Sequence, residues 1–91
     1  MRRGTQAHMN NSKPLINQRA RVEKYLREHL TRELGPMHVY CESAAVCVFP
    51  FDKTDMGVVL FHPDYDKPQE LLEKLRLAWV QYLISGEKVE V

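Results

Sequence analysis

The sequence predicts a small α+β fold of order α-β-β-β-α. Two helices would pack on one face of a three-stranded antiparallel sheet, with a possible short fourth strand at the C-terminus. Three observations carry this expectation. Two long segments hold apolar residues at helical spacing and run into Gly35 and Gly86. Three short runs between them are rich in β-branched and aromatic residues, the first two with period-two patterning and the third nearly all apolar. The links between those runs are short, which favours antiparallel neighbours. Two amphipathic helices on one side of a sheet is the economical way to bury both.

The first helix is expected over about Ser12–Leu34. Ser12 is a natural N-cap, and Pro14 falls in the first turn, where a missing N–H costs little. Leu15, Val22, Leu26, Leu30 and Leu34 recur at helical spacing, with Ala20, Tyr25 and His29 beside them. Gly35 then stops the helix and Pro36 prevents its continuation. Its polar face alternates in sign. Arg19–Glu23, Glu23–Arg27, Lys24–Glu28 and Glu28–Arg32 are all i,i+4 pairs, each adding about 0.2–0.5 kcal/mol to the helix.

The strands are expected at Met37–Glu42, Ala45–Phe49 and Gly57–His62. Met37, Val39 and Cys41 share one phase; Ala45, Cys47 and Phe49 share the same phase in the second run, and both sets are assigned to the core. Ser43 and Ala44 lie in a tight turn that lacks Gly or Asn. Val58, Val59, Leu60 and Phe61 make the third run apolar on both sides, the pattern of a central or doubly covered strand. Asp66 with Gln69 resembles a capping box at the start of the second helix, which runs to about Ser85.

That second helix is the most informative element. A rotation of about 100° per residue gathers Leu71, Leu72, Leu75, Ala78, Trp79, Tyr82 and Leu83 into one core stripe. Leu77, Val80 and Ile84 form a second stripe nearly opposite, with i,i+3,i+7 spacing. A helix that is apolar on two sides must bury both. Either the first helix covers the second stripe, or the stripe is an intermolecular surface with Arg76 and Gln81 as its polar rim.

The chain has 91 residues, which fits one domain. Residues 1–9 read as a cloning-derived or disordered leader, leaving 10–91 as a single α+β domain. The formal net charge is +1, but Arg2 and Arg3 supply that excess, so residues 10–91 carry 11 basic and 12 acidic side chains. A balance of that kind disfavours a membrane surface or a strongly basic nucleic-acid interface. No signal peptide is recognisable, and two cysteines are too few for a disulfide scaffold, so the expected compartment is the cytoplasm with both thiols reduced.

Catalytic and metal chemistries find little support. His38 and Cys41 are three apart on a strand and point to opposite faces. Cys41 and Cys47 read as small core hydrophobes rather than activated nucleophiles. Asp64 and Asp66 are explained by turn formation and capping beside His62. Gly4, Gly35, Gly57 and Gly86 are too dispersed for a phosphate loop. No enzyme, metal, cofactor or small-molecule substrate is expected.

The element order α-β-β-β-α is similar to that of double-stranded-RNA-binding domains. That resemblance implies a phosphate-gripping lysine cluster at the start of the second helix, where this chain instead holds Asp64, Asp66, Lys67 and Glu70. Gly35-Pro36-Met37-His38 echoes a turn motif of those domains but precedes the first strand. The expected function is therefore that of a small protein-interaction module: an adaptor, a chaperone-like subunit or an inhibitor, with a regulatory role. It would act on another protein, or on itself as a homodimer, through Leu77, Val80, Ile84, Arg76 and Gln81. The alternative is nucleic-acid binding through Arg19, Arg21, Lys24, Arg27 and Arg32 on the first helix.

Overall fold

A computed structural model of the chain describes residues 13–91, with side chains from residue 17 onward. The leader at 1–9, the cap at Ser12 and the side chain of Leu15 lie outside the described residues. Helix α1 spans Lys13–Leu34. Strands β1 (His38–Cys41), β2 (Ala45–Phe49) and β3 (Val58–Phe61) follow, then helix α2 (Pro68–Ser85) and a two-residue strand β4 (Val89–Glu90).

The sheet has the order β1-β2-β3-β4. β1, β2 and β3 form an antiparallel meander, and β4 runs parallel to β3, pairing Val58 with Val89 and Val59 with Glu90. The parallel pair follows from the connection: α2 intervenes and returns the chain in its original direction. The β1–β2 hairpin closes on a Glu42 N–H to Ala45 C=O bond of 2.9 Å, with Ser43 and Ala44 as the turn.

Both helices lie on one sheet face. Val22, Leu26 and Leu30 of α1 and Leu71, Leu72, Leu75, Ala78, Trp79 and Tyr82 of α2 bury against Val39, Val46, Val48, Val58 and Leu60. Trp79 and Tyr82 meet with ring centroids 5.1 Å apart. Among the described residues no buried polar side-chain atom lacks a hydrogen-bond partner.

Three local expectations need correction. The core face of β2 is Val46 and Val48, and Ala45, Cys47 and Phe49 face away from the helices. Both sets are apolar, so alternation alone does not choose between them. The two-residue turn chooses, because it sets Cys41 opposite Val46. Next, the N-cap of α2 is Lys67, with no side-chain cap bond. Asp66 is occupied elsewhere: its N–H donates to Asp64 Oδ1 at 3.0 Å and its Oδ1 accepts from Gln18 Nε2 at 2.6 Å. Finally, Leu83 is not in the core; it is 62% exposed.

Candidate interaction surfaces

Burial of one flank of α2 leaves the other uncovered. Leu77, Val80 and Ile84 are 63%, 41% and 81% exposed, and Leu83 joins them. The far stripe is therefore not covered by α1, which packs elsewhere along α2. The four side chains occupy the C-terminal half of the helix at i,i+3,i+6 and i+7 from Leu77. A contiguous apolar patch of this kind on a small protein marks an interaction site more often than it marks chance.

Leu77 and Gln81 also line a groove of about 370 Å³ between α2 and the sheet edge, together with Leu60, Phe61, Lys74 and Val91. Gln81 therefore stands at the border of the patch, as a rim residue would. Arg76 does not. Its guanidinium makes two bonds to Glu33, at 2.7 and 2.9 Å, and a third to Glu73. It clamps α1 to α2. That contact holds the Glu33 carboxyl below the ordinary glutamate range, chiefly through the hydrogen bond from Arg76, and raises Arg76 in turn.

Arg19, Arg21, Lys24, Arg27 and Arg32 of α1 do not form an unbroken stripe. Lys24 and Arg32 each lie four residues from Glu28, and Arg21 lies seven from it, so an acid stands among all three. Arg19 and Arg27 lie four residues on either side of Glu23. Arg27 is already engaged, pairing with Glu23 at 2.9 Å and donating to the Val39 carbonyl at 3.3 Å.

The same pair performs a task that the sequence does not reveal. β1 is an edge strand, and its outward backbone groups are a template for another strand. Glu23 Oε2 accepts the Cys41 N–H at 2.8 Å, and Arg27 occupies the Val39 carbonyl. Two side chains of α1 thus close the edge. Nearby, the Tyr65 hydroxyl donates to the Glu42 carbonyl. The Cys41 thiol is pushed up to about 11, mainly by burial and then by the Glu23 carboxylate. Burial of this kind disfavours the thiolate, the nucleophilic form of cysteine.

The sheet face opposite the helices is the second uncovered surface, and sequence reasoning missed it. His38, Tyr40, Ala45, Cys47, Phe49, Val59 and Phe61 share it by strand alternation. Phe51 adds to it through His38, with ring centroids 4.4 Å apart. His38 also meets Phe49 at 5.2 Å, and Tyr40 meets Phe49 at 5.6 Å. The signal was present in the doubly apolar third run, where the second apolar side faces outward instead of a covering layer.

Among the described residues no group of three or more His, Cys, Asp or Glu gathers as a metal site. Cys41 and Cys47 are both free and face opposite sides of the sheet. Among the described residues no helix is long and apolar enough to cross a membrane. The architecture is that of an open two-layer α+β sheet protein. No protein-family model, curated protein or solved structure matches the chain.

Proposed function

We propose that this chain is a non-enzymatic protein-interaction module, an adaptor, chaperone-like subunit or inhibitor with a regulatory role. Its docking surface is the exposed flank of α2, and its ligand is an amphipathic helix of a partner protein. One observation carries this: Leu77, Val80, Leu83 and Ile84 stand side by side on a single helix flank, left 41–81% exposed by the described residues. Their helical spacing suits a second helix laid along the first, each presenting a ridge to the other's groove. The groove beside Leu77 and Gln81 gives one anchoring side chain of the partner a place to enter. Arg76 serves the module indirectly, by holding α2 against α1. The cytoplasm is the compartment this role favours, and the two free thiols agree with it. Nucleic-acid binding through Arg19, Arg21, Lys24, Arg27 and Arg32 has less support, because Glu23 and Glu28 interrupt the basic face.

The test uses Leu77→Asp and Ile84→Asp. Both positions are exposed, so each variant should keep wild-type circular dichroism and lose no more than about 0.5 kcal/mol of stability. Partners captured by wild type and lost by both variants would be identified, and the binding segment titrated calorimetrically. A helical segment with a negative binding heat capacity supports the role. A partner that binds Ile84→Asp as tightly as wild type overturns it.

A further inference from the structure

We propose that the helix-free face of the sheet binds a second copy of this chain, giving a face-to-face dimer with the two α2 flanks turned outward. The proposal stands apart from the role assigned to α2, since it concerns the opposite side of the sheet.

Three observations select a second copy as the occupant. The first is charge. The central members of the face, His38, Tyr40, Ala45, Cys47, Phe49, Val59, Phe61 and Phe51, include no acid, Lys or Arg; the charges in phase with them, Glu42 just past β1 and Glu90 on β4 beside Lys88, stand at its ends. Two such faces meet without like-charge repulsion across the centre, the condition for a self-complementary twofold contact.

The second is area. Tyr40, Phe51 and Phe61 are 45%, 59% and 47% exposed, and the other members are half-buried. With about 200 Å² for a large aromatic side chain, the face offers on the order of 500 Å² per copy. Two copies would then bury about 1,000 Å², the lower bound for a specific interface. A reversible dimer of moderate affinity is the expected result.

The third is the closed edge. Strand addition at β1 is a competing route to self-association through the sheet, and Glu23 and Arg27 occupy the Cys41 N–H and the Val39 carbonyl that it requires. The face is left as the apolar surface of the sheet free to pair. Stacked sheets lie about 10 Å apart, and their inner side chains interdigitate. Cys47 on β2, in register with both Tyr40 on β1 and Val59 on β3, would lie near the middle of the contact.

Sedimentation equilibrium of the full chain should show a reversible monomer–dimer system. Tyr40→Lys and Phe51→Lys, both at exposed positions away from the α2 groove, should weaken the dimer about tenfold or more. Ile84→Asp should leave it unchanged. Independently, alkylation of Cys47 by N-ethylmaleimide, followed in a Cys41→Ser background, should slow as protein concentration rises. A wild type that sediments as a monomer at every concentration overturns the proposal. So does a dimer abolished by Ile84→Asp but not by the Lys variants, or an alkylation rate independent of concentration.

Discussion

Gly57 shows how much one position can decide. Its φ is +101°, and a Cβ built there would lie 2.1 Å from the Val48 carbonyl oxygen and 2.8 Å from the Phe49 Cα. Those neighbours are backbone of the adjacent strand and cannot move aside. Gly57 also accepts the Val89 N–H at 2.8 Å, so it ties β3 to β4. Gly57→Ala should therefore cost about 3 kcal/mol or more in urea denaturation, through both strain and steric overlap. A loss under about 1 kcal/mol would show that the strand pair relaxes easily. Cys41 supports a second prediction at this scale. Its thiol is raised to about 11, so thiolate absorbance in a Cys47→Ser variant should rise with a midpoint near 11. The sign follows from linkage. A thiol raised on folding favours the folded state below its unfolded value, and that advantage disappears as pH climbs through the folded value.

Elements interact here through side chains that look like surface decoration in the sequence. Glu23 and Arg27 form an i,i+4 pair, and such pairs are usually worth a few tenths of a kcal/mol. Their contact with β1 gives them more to do. Glu23→Ala would leave the Cys41 N–H without its partner and should cost about 1–2 kcal/mol. It should also open the strand edge, giving concentration-dependent aggregation by light scattering that Glu23→Gln reduces. Where α1 meets α2, the Glu33–Arg76 contact makes the fold sensitive to acid. The Glu33 carboxyl is lowered on folding, so its contribution is present above the unfolded glutamate value and is lost as pH falls through the folded one. Glu33→Gln should flatten the stability profile on the acid side of that window and leave its alkaline side unchanged. A parallel shift of the whole profile would mean that the contact acts through packing alone.

For the molecule as a whole, one core spans both layers, from Val22 of α1 through Val48 of β2 to Trp79 of α2. A single core predicts a single transition. Trp79, the only tryptophan, is 5% exposed and sits in that core, so its fluorescence and the far-UV circular dichroism should report one shared midpoint. Separate midpoints would mean that the α1 layer unfolds independently.

Helix boundaries, strand positions and the outward stripe on α2 were legible in the sequence, because each depends on chemistry within a few residues. Gly35 and Gly86 stop helices locally, and Leu77, Val80 and Ile84 share a flank whatever else the chain does. The main thing the sequence left open was a choice between two apolar sets. β2 could have turned either face inward; the Ser43–Ala44 turn, by pairing Cys41 with Val46, settled that Val48 went in and Cys47 went out. The direction of β4, the aromatic face and the closing of β1 by α1 needed the assembled layers. Local pattern says which residues are apolar and how they repeat, but only three-dimensional packing decides which of two equally apolar surfaces is left for water.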